Sequence, residues 1–220
     1  DRRFTLHRLM REVVRQEAGD DLAEHDARRF QIMAAFPEAL TRLVSQDRSN
    51  AALAAFLVEA PNLLVAAQEL LGDEPSPLED DKRIPRLRAE FGVYVAQFAD
   101  FLWPFGFRRR LLTAAQADAE AHSWAELEAR SLEALGDLDV REDRLHDARE
   151  RYDQALPIFR DIQDNLGLAN TLRTLGDLAS IQNSGEEAIE MLQQALGVHI
   201  EIQNMIGLRG DHGCLGFHFM

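Results

Sequence analysis

Apolar residues recur along this chain at spacings of three and four, the period of an amphipathic α-helix. The alternation typical of strands is almost absent, and its best candidate is the short stretch 3–6. The pattern therefore predicts an all-α fold. Helices are predicted over residues 7–17, 20–46, 48–71, 86–103, 107–122, 125–139, 144–162, 167–182 and 185–202.

The second half of the chain repeats itself when it is shifted by 40 residues. Residues 135–138 and 175–178 both read Leu-Gly-Asp-Leu, and Ala148 aligns with Ala188. A fixed period between about 20 and 50 residues is typical of proteins built from stacked supersecondary units. The sequence thus predicts a repeat array in this half.

Each copy has the pattern of two helices with facing apolar stripes. Gly136 and Ala148 are small where the two helices must approach closely, and Tyr152 and Phe159 are expected to fill the space between successive pairs. Neither pair can bury its stripe alone, so stacking is expected to supply the core. Pro157 lies inside a second helix and is expected to bend it.

This repeat resembles the tetratricopeptide repeat, over roughly residues 86–208. The Leu-Gly pair, the small alanine that follows it and the aromatic residue after that have the family's spacing. The period is longer than the family's usual value of about 34 residues and matches a longer-helix variant found in signalling proteins. Leu132 and Leu172 stand where the family has tryptophan. The resemblance implies a right-handed solenoid of antiparallel helix pairs, preceded by a helical arm.

The resemblance also implies a concave groove, lined by the first helix of each pair, that binds a protein or peptide. The family's groove positions correspond here to Arg130, Glu133, Asp137, Asn170, Arg173 and Asp177. The alternative that these side chains are merely solvated stays open. A groove that clamps a peptide's terminal carboxylate uses lysines and an asparagine, whereas Asp137 and Asp177 stand at the asparagine position, so an acidic tail would be repelled.

The N-terminal half resembles a different family. Residues 4–13 are similar to the last strand and helix of the winged-helix segment in NB-ARC-type signalling ATPases of the STAND class. Residues 59–67 resemble the helix that leads into their repeat sensor arm. The expected organisation is a winged-helix remnant at 1–18, a helical arm at 19–71, an acidic and proline-containing linker at 72–85, tetratricopeptide-like repeats at 86–208 and an irregular tail at 209–220.

Composition narrows the classes of function. The chain of 220 residues carries 38 acidic and 24 basic side chains, a formal net charge of −14, so its bulk charge disfavours nucleic acid. A single cysteine, Cys214, allows no internal disulfide and no cysteine-based zinc site, which favours a reducing, cytoplasmic setting. No apolar run approaches the roughly 20 residues needed to span a bilayer, so no membrane association is expected.

Catalytic and cofactor motifs are not found in the sequence. Lys82 is not preceded by a glycine-rich turn, so no phosphate-binding loop is expected, and an ATPase domain would have to lie upstream of Asp1. The tail gathers His212, Cys214 and His218, but a fourth metal ligand is missing, so no metal is expected. The basic run 108–110 is expected to form a solvated face or an interdomain contact rather than a nucleic-acid site.

The sequence therefore predicts a non-catalytic protein–protein interaction module without a cofactor, as the sensor arm of a nucleotide-switched signalling protein. A free-standing repeat adaptor and the non-catalytic part of an enzyme remain alternatives. Glycines in residues 209–220 disfavour a further helix. Leu192, Leu196 and Ile200 are then expected to lack a cover, so the chain is expected to self-associate through this uncapped last repeat.

Overall fold

The computed structural model confirms the predicted all-α class, because the residues that it describes contain helices and turns and no strand. Those residues are 57, 63, 64, 66–68, 70–72, 84–96, 103–182 and 184–202. The predicted winged-helix remnant, most of the arm and the tail lie outside them. The chain divides into two compact units, Asp1–Ala121 and His122–Met220.

The first unit contains a packed helix pair, α1 (Ile84–Ala96) and α2 (Phe105–Ala121). The two helices approach closely at Gly92, where a Cβ atom would lie 2.8 Å from Cβ of Ala115. α1 begins at Ile84, two residues before its predicted start, so Pro85 belongs to the helix rather than to the linker. Proline is well tolerated there, because an N–H group in the first turn has no partner within the helix.

A charged pair joins three parts of the first unit. Arg88 of α1 donates to both carboxylate oxygens of Asp118 in α2, at 2.6 and 2.9 Å, and to the backbone oxygen of Leu70 at 3.0 Å. Leu70 and Leu63 are buried and helical, as the predicted helix 48–71 requires at these positions. The bidentate geometry fixes the direction of the guanidinium plane and so holds Leu70 against the helix pair.

The described residues of the second unit form four helices of 17 residues each. These are α3 (Ala125–Arg141), α4 (Leu145–Asp161), α5 (Asn165–Ile181) and α6 (Gly185–Glu201). α3 packs on α4, α5 packs on α6, and α4 packs on α5. The predicted helix pairs are therefore confirmed, with bounds that differ from the predicted ones by no more than about two residues, the usual uncertainty of a helix end.

Short connectors of one type join these helices. Positive φ angles occur at Ser123 (57°), Asp143 (60°) and Gln163 (59°). After each such residue the backbone turns back: the N–H group of Asp164 donates to the carbonyl of Phe159 at 3.0 Å. This is the Schellman arrangement, in which a left-handed residue ends a helix. Asp164, whose N–H group makes this bond to α4, is also the N-cap of α5.

Small residues let each first helix approach its second helix, as the repeat pattern predicts. A Cβ atom at Gly136 would lie 2.6 Å from the Tyr152 ring, and one at Gly176 would lie 2.7 Å from Cγ of Leu192. Leu192 is therefore fully buried inside its own pair. The expectation that Leu192 lies uncovered at the end of the array is wrong, whereas Ile200 is 58% exposed.

Aromatic side chains connect successive pairs, as predicted. Phe159 of α4 belongs to a buried cluster with Ala129 and Leu132 of α3, and Leu168 of α5 packs against the same cluster. Tyr152 lies in a second cluster with Leu175 and Leu178 of α5. α4 runs without interruption through Pro157. The predicted bend at that proline stays a prediction.

Candidate functional site

Two first helices carry the predicted groove residues. Arg130, Glu133 and Asp137 lie on α3 at spacings of three and four, so they share one side of that helix. The corresponding residues on α5 are Asn170, Arg173 and Asp177. All six are half-buried or exposed, so each can reach solvent. Around them the structure assembles a surface that we call the α3–α5 face, made of Arg130, Glu133, Asp137, Asp164 and Arg173.

Arg130 bridges α3 and the start of α5. Its Nη2 atom lies 2.8 Å from Oδ2 of Asp164, and its Nε atom donates to Oε1 of Glu126 at 3.1 Å. Burial lowers the pKa of Arg130, but the attraction of these two carboxylates outweighs it and leaves the pKa raised. The guanidinium carbon also lies 6.0 Å from the centre of the Phe159 ring, in cation–π range. The charge of Arg130 is thus already compensated from within the chain.

Asp164 is a member of the face that the sequence reasoning missed. Its Oδ1 atom accepts from the backbone N–H group of Gly167 at 3.0 Å, which caps the N-terminus of α5. Its other oxygen receives Arg130. Asp164 stands three residues before the predicted helix start at 167, and an aspartate near a helix start is a capping signal that could have been recognised. The pairing with Arg130 could not, because it depends on how α3 and α5 are packed.

Glu133 has the most unusual environment on the face. Burial, followed by the negative charge of Asp137, raises the pKa of Glu133 to about 8, although Arg130 and Arg173 act in the opposite direction. Glu133 makes no direct hydrogen bond or ion pair with any residue that the structure describes. Near neutral pH its carboxyl group is therefore largely protonated and available to an incoming group.

Asp137 is held from the neighbouring helix. The hydroxyl group of Tyr152 in α4 donates to Oδ1 of Asp137 at 2.7 Å. Burial, followed by the charge of Asp137, raises the pKa of Tyr152 well above its usual value, so the phenol stays protonated. Asp137 was predicted as a groove residue, but its interaction with Tyr152 was not foreseen.

The α5 positions are less tightly held. Arg173 and Asp177 form an ion pair at 3.5 Å within one helical turn. Both side chains keep about a third or more of their area exposed, 35% and 40%, so this pair contributes little to stability. Asn170 is half-buried, and its backbone oxygen accepts from Thr174. The structure thus brings Arg130, Glu133 and Arg173 to one face and leaves Asn170 beside it.

A second charged cluster lies between α3 and α4. The carboxylate of Asp139 is 1% exposed and receives Arg144 at 2.9 Å and Arg151 at 3.3 Å. Arg149 of α4 lies 2.5 Å from Glu187 of α6, and this contact lowers the pKa of Glu187. These pairs join helices to one another, and we assign them a structural role.

The basic run 108–110 at the start of α2 is only partly exposed to solvent. Arg108 is buried, with 5% of its surface exposed, and its guanidinium carbon lies 5.8 Å from the centre of the Phe105 ring. The prediction of a solvated face is therefore wrong for Arg108, although Arg110 is exposed. Phe105 lies one turn earlier in the same helix, which places its ring in cation–π range of the Arg108 guanidinium group.

One group of potential metal ligands occurs within the described ranges. His146, Asp147 and Glu150 place donor atoms within 4.8 Å of one another on the exposed surface of α4. Arg144 lies 3.8 Å from Asp147 and competes for its carboxylate. Consecutive exposed side chains on one helical turn are not a closed coordination sphere. The tail with His212, Cys214 and His218 lies outside the described residues.

Within the described part of the chain, none of the helices combines the length and the apolar character that crossing a membrane requires.

The repeat region and the fold both have counterparts among known proteins. The family model of the tetratricopeptide repeat matches residues 127–200, which span α3 to α6. The crystal structure of BtubC (BKLC) from P. vanneervenii is similar, with a TM-score of 0.59 and 16% sequence identity, over 90% of this chain and 85% of that chain. No curated protein sequence matches the chain. Residues 127–200 thus match the tetratricopeptide-repeat family model, and the chain is similar in fold to BtubC.

Proposed function

We propose that this chain is a protein–protein interaction module that binds a segment of a partner protein on the α3–α5 face. Tetratricopeptide repeats generally mediate protein–protein interaction. The observation that carries the proposal is the meeting of charged, solvent-reachable side chains from two first helices, around Glu133. These side chains are half-buried or exposed, so a partner segment can reach them.

We further propose that the module is the sensor arm of a nucleotide-switched signalling protein in the cytoplasm. The resemblance of residues 4–13 and 59–67 to NB-ARC-type ATPases, and their order before the repeats, support this context. A free-standing adaptor and the non-catalytic part of an enzyme are the alternatives. A phosphate-binding loop encoded upstream of Asp1 would favour the signalling ATPase over both.

Site-specific photo-crosslinking in the producing cells tests the proposed face. A photoreactive phenylalanine analogue is placed at Asn170, and in a control at Glu150, which is exposed on α4 away from the face. We expect a discrete crosslinked protein from position 170 and none from position 150. Equal crosslinking from both positions, or none from position 170, would contradict binding at this face.

A further inference from the structure

We propose that the α3–α5 face recognises a lysine or arginine side chain of the partner segment, with the cation placed against the carboxylate of Glu133. This inference rests on the proposed function, because it specifies the chemistry of the same face. It concerns one side chain of the partner rather than the whole interface.

The two cations of the face are already paired with carboxylates of the same chain. Arg130 is neutralised by Asp164 at 2.8 Å and by Glu126 at 3.1 Å. Arg173 pairs with Asp177 at 3.5 Å. Glu133 is different, since no described residue offers it a hydrogen bond or an ion pair within contact distance. Glu133 is therefore the carboxyl group of this face that has no described partner, and an incoming cation has one defined place to bind.

The charge of the face complements a basic partner segment. Even without Glu133, the carboxylates on or next to the face outnumber its cations: Glu126, Asp137, Asp164 and Asp177 against Arg130 and Arg173. A basic segment complements this surface, whereas an acidic segment adds like charges at short range. The net charge of −14 acts in the same direction, because it speeds the encounter with a cationic partner.

Binding of a cation beside Glu133 should release a proton from its carboxyl group. Several charged or titratable groups surround Glu133: Arg130 and Asp137 from α3, Tyr152 from α4, Asp164 at the start of α5 and Arg173 from α5. In the free chain they leave the pKa of Glu133 at about 8. A bound cation favours the ionised carboxylate, so binding releases a proton and weakens as the pH falls below 8.

The size of the pH effect follows from this linkage. If the bound cation holds Glu133 ionised throughout, the dissociation constant rises about tenfold between pH 9 and pH 7. An arginine on the ligand stays charged over this range, so the protein alone supplies the pH dependence. A chain whose position 133 cannot ionise should show a flat profile.

A peptide selection on the full chain tests the inference. A library of randomised nine-residue peptides is selected at pH 8.5 against the wild-type chain, the Glu133→Gln variant and the Glu150→Gln variant. Glu150 is an exposed carboxylate of α4 outside the face and serves as the matched control for lost charge. The best wild-type peptide is then synthesised, and its affinity is measured by fluorescence anisotropy from pH 7 to pH 9.

We expect wild type and Glu150→Gln to select peptides with arginine or lysine at one fixed position, and Glu133→Gln to lose this preference. The chosen peptide should bind Glu133→Gln at least about tenfold more weakly at pH 8.5, without the pH dependence. Peptides that lack a fixed cation, or that bind wild type and Glu133→Gln alike, overturn the inference. If such peptides still crosslink through position 170, the proposed function survives; if none does, both fail.

Discussion

Tyr152 of α4 donates a hydrogen bond of 2.7 Å to Asp137 of α3, while its ring occupies the space that Gly136 leaves open. One side chain thus belongs both to the core of the helix pair and to the charged face. In the next pair, Leu192 stands at the position of the tyrosine, and Asp177 forms an ion pair with Arg173. The two Leu-Gly-Asp-Leu segments are identical in sequence, yet their aspartates are held in different ways.

We expect Tyr152→Phe to lower the free energy of unfolding by about 1 to 2 kcal/mol, because the ring remains but the hydrogen bond to a carboxylate is lost. Urea denaturation followed by circular dichroism measures the change. An unaltered midpoint would show that the bond to Asp137 adds no stability. The partner's affinity should change as well, since Asp137 then loses this hydrogen bond.

Gly176→Leu should destabilise the second unit by about 1 to 3 kcal/mol, because even a Cβ atom there would lie 2.7 Å from Leu192 and 3.2 Å from the carbonyl of Ala188. Gly197→Ala is the matched control, since no atom lies within 4 Å of its Cβ position. Gly197 is inside α6, so alanine should raise stability there by about 0.5 to 1 kcal/mol. Thermal midpoints that move in the same direction for both variants would contradict the close approach at Gly176.

Glu133 makes stability depend on pH in a defined direction. Its folded-state pKa of about 8 lies above the value of about 4.3 expected in the unfolded chain. The protonated carboxyl group therefore favours the folded state, and this contribution is present at low pH and is lost as the pH rises through 8. Wild type should lose stability relative to Glu133→Gln between pH 5 and pH 9.

The expected relative loss is on the order of 1 to 3 kcal/mol, reduced from the full linkage value because Glu133 keeps some contact with water. Denaturation curves at pH 5, 7 and 9 for both chains measure it. Parallel curves at all three values would mean that Glu133 is ionised in the folded chain at neutral pH. Glu150→Gln again serves as the control, because its carboxylate is exposed.

Glycine at the left-handed position between α4 and α5 is expected to stabilise the chain or leave its stability unchanged. Gln163 has φ of 59°, a conformation that costs a residue with a side chain roughly 1 kcal/mol. Glycine adopts it without strain, so Gln163→Gly should be neutral or stabilising by up to about 1 kcal/mol, although its extra freedom in the unfolded chain offsets part of the gain. The same change at Gln193, in the middle of α6, should be destabilising. A loss of stability at position 163 would contradict the left-handed assignment.

Sequence periodicity predicted the helices of the second unit well, because each one has an apolar stripe and the two repeats reinforce each other. The glycine contacts were also predictable: a Leu-Gly pair on one helix and a large residue on the next imply close packing. The environment of Glu133 was not, since its pKa depends on residues of α3, α4 and α5 that only the fold brings together.

Two errors have simple physical causes. Leu192 was placed on the outer side of α6 from its spacing to Leu196 and Ile200, but one apolar stripe serves two neighbours, and Leu192 lies on the part that faces Gly176. The sequence predicts a solvated face or an interdomain contact for residues 108–110, whereas Arg108 is buried with its guanidinium group in cation–π range of Phe105. Pattern alone does not determine which side of a stripe is covered.

In the second unit, helices of 17 residues alternate with short connectors, and these connectors are equal in length to one another. A chain built in this way tolerates only certain changes of length. Adding or removing a single helix with its connector would leave the next helix running in the opposite direction, with a second-helix surface where a first-helix surface belongs. A duplication or loss of a whole pair preserves direction, surface and connector at once. The gene can thus lengthen or shorten this array in whole pairs without rebuilding either junction, and every added pair extends the row of first helices to which α3 and α5 belong.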